Sequence, residues 1–121
     1  MNSMVTEATL EALLARGSQC GLLANVLTRT QRMLLAAHAG QWDVVAAGEA
    51  KRKKLLHECF ATPVAEQNSE LFAEALAVML HMNEELMQLL QNARKAAAVQ
   101  NSDQMRTQKS IKHYLDIDSE R

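Results

Sequence analysis

The stretch from Leu71 to Ala97 constrains the fold more than any other part of the sequence. Set successive residues about 100° apart around a helix axis. Leu71, Val78, Met82 and Leu89 then fall on one line, Phe72, Met79, Leu86 and Leu90 on the next, and Leu76, Leu80 and Met87 on a third. Together the lines cover roughly 200° of arc, where an ordinary surface helix needs an apolar stripe of about 100°. The remaining arc is polar: Glu70, Glu74, His81, Glu84, Glu85, Gln88, Gln91 and Lys95. A helix this wide is expected to be covered on two sides, either by two helices of its own chain or by one helix and a partner. No residue in it has a catalytic pattern, so it reads as a packing and binding element.

Composition sets the class. One Pro and four Gly in 121 residues leave few helix breakers, and aromatics are only 3%. Ala, Leu, Met, Gln, Glu and Lys lose little entropy in a helix. The expected fold is all-α: an antiparallel bundle of three main helices with a weakly docked C-terminal helix. The seven Met suit adaptable packing, in the core or at a binding surface. A net charge of −1 gives no electrostatic reason to seek nucleic acid or an acidic membrane. No apolar run approaches the ~20 residues of a membrane span. Glu7 and Glu11 interrupt the first apolar run, and no basic segment precedes it, so a signal peptide is not expected. Cys20 and Cys59 match no metal spacing and read as free, mostly buried thiols in a reducing compartment. The expected location is the cytoplasm.

Residues 1–21 read as an arm, either a short helix or frayed, with Gly17 and Gly21 interrupting any continuation. Residues 22–100 read as the bundle. Leu22 to Ala39 carries Leu22, Leu23, Val26, Leu27, Met33, Leu34 and Ala37 at helical spacing, with Gly40 where a left-handed cap belongs. Trp42 to Phe60 follows at once, so the two helices are antiparallel neighbours. Its inner face is expected to use Trp42, Val45, Ala46, Leu56, Cys59 and Phe60, while Lys51-Arg52-Lys53-Lys54 forms a solvated face or a basic docking patch. Thr62-Pro63 stops that helix. Asn68 or Ser69 then caps the third. Asn101-Ser102-Asp103 is expected to break the third helix. Residues 101–121 then form a regulatory C-terminal helix and tail, whose apolar side holds only Met105, Ile111 and Leu115.

Catalytic and metal chemistry find no support. His81 precedes Glu84 and Glu85, the reverse of the Glu-x-x-His pairs of a di-iron bundle, and no second pair exists. His57 and Cys59, two apart on a helix, point away from each other. Phosphate loops and nucleophile signatures are missing. No metal, no cofactor and no enzymatic activity are expected.

Several short motifs carry a resemblance. They are Ala39-Gly40-Gln41-Trp42-Asp43, Glu49 with Arg52-Lys53-Lys54-Leu55-Leu56, Asn83-Glu84-Glu85-Leu86, and Gln108-Lys109-Ser110-Ile111 with Tyr114. From about residue 22 to 115 the chain resembles the flagellar export chaperone FliT family. The resemblance implies a client, the filament-cap protein FliD, bound through its C-terminal segment and kept export-competent. It implies contact with the export ATPase complex and, less transferably, repression through the flagellar master transcription activator. It also implies a last helix, with Met105, Gln108, Ile111, Tyr114 and Leu115, that covers the binding surface until the client displaces it.

The expected docking mode is a client helix in a groove of the second and third main helices. The expected binding rim is Leu71, Val78, His81, Met82, Glu85, Gln88 and Leu89, which joins apolar and polar groups. The Leu76, Leu80, Met87 edge is expected to face the first main helix. The alternative is a structural or adaptor bundle without a client, its surplus apolar surface forming a homodimer face. Direct nucleic-acid binding and membrane insertion are not expected.

Overall fold

The helices begin and end where local chemistry dictates. In the computed structural model, which describes residues 6–119, with side chains through residue 113 and at Leu115, Thr6 caps α1 (Glu7–Leu14) by accepting the Thr9 backbone N–H at 3.2 Å. The chain then turns at Gly17 and enters α2 (Ser18–His38). At the other end Gly40 has φ +73°. Its N–H reaches the Ala37 carbonyl at 3.0 Å, and the Gln41 N–H reaches Ala36 at 2.9 Å. These two bonds satisfy the orphan carbonyls of the last turn, and they need a left-handed residue at position 40. α3 (Trp42–Cys59) starts immediately afterwards and runs back along α2. The Gln19 side chain donates to the carbonyls of Cys59, at 3.0 Å, and Thr62, at 2.8 Å, so the start of α2 secures the end of α3. A single 3-10 turn at Glu66–Asn68 leads into α4 (Ser69–Ser119). No strand occurs among the described residues.

Two contacts fix the direction of α4. The Phe72 ring meets Phe60 edge to face, with centroids 5.7 Å apart, at the end of α3. Further along, Glu85 lies 3.5 Å from His38 at the end of α2. The bundle part of α4 therefore runs parallel to α2 and antiparallel to α3. Leu13 of α1 is fully buried, and Arg16 donates to the Gln67 carbonyl at 3.0 Å, so α1 belongs to the same bundle. The chain divides into two compact units inside α4, one reaching to Leu89 and the other starting at Leu90.

The core sits on α2, which buries Cys20, Leu23, Ala24, Val26, Leu27, Thr30, Met33, Leu34, Ala36 and Ala37. From α4 the core takes Phe72, Ala75, Met82 and Leu86. The sequence reading gave α4 the widest buried arc; α2 has it, because α1, α3 and α4 all lean on α2. Gly21 does not interrupt α2, since its cost of about 1 kcal/mol is offset by burying Cys20 and Leu23 on either side. Asn101-Ser102-Asp103 does not break α4 either: no Gly or Pro occurs between Ser69 and Ser119, and three weak helix formers flanked by Ala and Gln do not end a ladder.

α2 and α3 approach closely at Gly48. A Cβ there would sit 2.6 Å from Met33 Cγ and 3.2 Å from its sulfur. A Cβ at Gly21 would meet nothing within 4 Å. Gly21→Ala should therefore raise stability by about 0.5–1 kcal/mol. Gly48→Ala should lower it by about 1 kcal/mol, because overpacking outweighs the propensity gain. Urea unfolding of the two variants checks the pair; equal shifts of the same sign would contradict the close approach.

Candidate functional site

The two apolar edges of α4 differ in exposure. On one edge Met82 is fully buried, and Leu71, Val78 and Leu89 are half-buried against the core. On the other, Leu76 is half-buried, while Leu80 is 57% and Met87 44% exposed. The expected rim is corrected here: Met82 is core, and the open apolar edge is the one expected to face the first main helix. The reason is angular. The buried line Ala75, Met82, Leu86 points at α2, and Leu80 and Met87 lie more than 90° round the helix from Met82. Of the other expected rim residues, His81 and Gln88 are exposed, and Glu85 is the half-exposed partner of His38.

The open edge lies beside α3. Phe72, Leu76, Asn83 and Met87 fall within roughly 60° of one another around α4, and Phe72 touches Phe60. Phe60 is itself 50% exposed, although the sequence placed it on the inner face. Beside it a cavity of about 700 Å³ is lined by Lys53, Lys54, Leu56 and His57. Asn83 Oδ1 is buried without a hydrogen-bond partner. α4 thus carries an apolar strip, Leu76, Leu80 and Met87, that starts near the Phe60 end of α3 and runs toward the end of α2. Apolar side chains of this size in one strip mark a surface that takes another apolar surface.

Arg52 leaves the basic run. It is 7% exposed, donates to Thr30 Oγ1 at 3.4 Å and pairs with Glu49, while Lys51, Lys53 and Lys54 are exposed. Thr30 in turn donates to the Val26 carbonyl at 2.8 Å. Arg52 is one helical turn from Gly48 and two from Cys59, the two other buried positions of α3. That spacing was the sequence signal for an inward side chain.

In the second unit, taken by itself, Met105, Gln108, Ile111 and Leu115 are exposed, and the side chain of Tyr114 lies outside the described residues. A hollow of about 1,000 Å³ follows one face of α4 from Lys95 to Gln108. Among the described residues no three His, Cys, Asp or Glu side chains group to hold a metal, and no helix is long and apolar enough to cross a membrane.

Residues 21–116 match the family model described as flagellar protein FliT. No curated protein and no solved structure matches the chain.

Cys59 and Cys20 are both free and buried. The Cys59 thiol donates to the Gln19 carbonyl at 3.6 Å. Burial first, and the neighbouring Cys20 second, push Cys59 above its ordinary value. A thiol held protonated and inside the core does not serve as a nucleophile. The unfolded chain ionises it from about pH 8.5, so the stabilisation is complete below that and is lost as pH rises through the higher folded-state value. Between pH 8 and pH 10 the melting temperature should fall further for the native sequence than for Cys59→Ala. Parallel falls would contradict the assignment.

Proposed function

This chain belongs to the FliT family of flagellar export chaperones, and from that premise we propose that it binds the C-terminal segment of the filament-cap protein, FliD, in the cytoplasm and keeps it export-competent. The client lies as an amphipathic helix along the strip on α4, with its apolar face on Phe60, Leu80 and Met87. The observation that carries this is the exposure of those three side chains, at 50%, 57% and 44%, at the margin of a packed core. On the family alone, the same reading extends to the export ATPase complex and to repression through the flagellar master transcription activator. The distal part of α4, with Met105, Gln108, Ile111, Tyr114 and Leu115, competes with the client for the strip.

Calorimetry against a FliD C-terminal peptide tests the site. Leu80→Glu and Met87→Glu should each weaken binding about tenfold, the loss of roughly 1.4 kcal/mol, with helicity and melting temperature unchanged. Met82→Glu should instead unfold the protein, since it buries a charge without a partner. Unchanged affinity in both exposed variants would overturn the site. If Leu80→Glu converts a dimer to a monomer without loss of peptide affinity, the strip is a homodimer face. Deleting residues 104–121 should tighten binding; equal or weaker binding would contradict competition.

A further inference from the structure

A second groove lies on the other flank of α3, between α2 and α3. It holds about 330 Å³ and is walled by Arg29 and Arg32 from α2 and Lys51 from α3. Its floor is apolar: Met33, Val44 and Gly48. Arg29 and Arg32 are three residues apart and so share one face of α2. Val44 is 47% exposed although it lies beside a packed helix pair. Among the described residues none of the three cations makes an ion pair, and Asp43 is the groove's only carboxylate. Three unpaired cations against one carboxylate, in a chain of net charge −1, is a local concentration of positive charge.

We infer that this groove is a second docking site, and that its occupant is an acidic amphipathic segment of a partner protein. Carboxylates of the segment pair with Arg29, Arg32 and Lys51, and the planar guanidinium groups of the two arginines donate paired hydrogen bonds to them. An aliphatic side chain fills the floor over Met33 and Val44. The volume, at the low end of the roughly 300–1,000 Å³ range of ligand pockets, accepts a few side chains rather than a domain face. A nucleic acid fits less well. Its phosphates would leave the apolar floor unused, and no aromatic ring lines the groove for a base to stack on. The site is separate from the strip that carries Leu80 and Met87, so both can be filled at once. The close packing of Met33 on Gly48 keeps the floor fixed.

The test uses the full chain and a fluorescein-labelled helical peptide of Glu, Leu and Ala, with glutamates flanking one leucine at helical spacing. A second peptide has Gln for every Glu, and a DNA duplex serves as a polyanion without apolar groups. The native protein should bind the Glu peptide, more weakly as salt rises, and neither control. The Arg32→Glu, Lys51→Glu double variant should lose binding at least tenfold with its circular dichroism unchanged. Leu80→Glu should bind as the native protein does, which separates this site from the client strip. In methyl spectra, Val44 should shift on titration and Met87 should not. Failure of the native protein to bind the Glu peptide, equal binding by the double variant, or DNA bound as well as the peptide would each overturn the proposal.

Discussion

A helix that buries side chains around roughly 240° of its circumference cannot stand without neighbours on several sides. That condition belongs to α2, whose buried residues run from Cys20 to Ala37. α3 covers it along one flank, closely enough that Gly48 rests on Met33. α4 covers another through Ala75, Met82 and Leu86, and α1 adds Leu13. Polar ties at both ends fix the register. Gln19 joins the start of α2 to the end of α3, and His38 joins the end of α2 to Glu85. Midway, Arg52 crosses from α3 to Thr30 with its charge balanced by Glu49. Breaking that pair would leave a buried cation uncompensated, which costs more than the pair itself contributes.

Once α2 is covered, α4 has more apolar surface than the bundle can use. The surplus falls on one edge because the direction toward α2 is set by Ala75, Met82 and Leu86. Leu80 and Met87, roughly 130° further round the helix, are left exposed. A chaperone needs this combination. The apolar edge with Leu80 and Met87 belongs to a packed helix rather than a loop. The flexible thioether of Met87 can adapt to a partner side chain.

Much of this was legible in the sequence. Gly40 after a periodic run, followed at once by Trp42, gave the α2–α3 turn, because a left-handed cap and a short link leave one arrangement. Gly17 did stop a helix, but Gly21 did not: two glycines of equal propensity part company only when burial on either side is known. The uninterrupted course of α4 was legible in the lack of Gly and Pro after Pro63, a signal outweighed in the reading by the cap-like Asn101-Ser102-Asp103. The rim was harder to read. A sequence gives angles around α4 but not the azimuth of its neighbours, so Met82 and Met87 looked alike. Arg52 stood inside a run of cations, and only its register with Gly48 and Cys59 pointed inward. Arg29 and Arg32 carried no motif, since their groove forms only when α3 lies against them.

The measurement that tests the account most directly is a methyl spectrum of the methionine-labelled protein, recorded with and without a FliD C-terminal peptide. The chain has seven methionines; among the described ones Met33 and Met82 are buried, and Met87 and Met105 are exposed. If the strip on α4 holds the client, the Met87 methyl shifts strongly on saturation, while Met33 and Met82, buried in the core, keep their positions. A saturable interaction that leaves Met87 unmoved would place the client elsewhere and contradict the account.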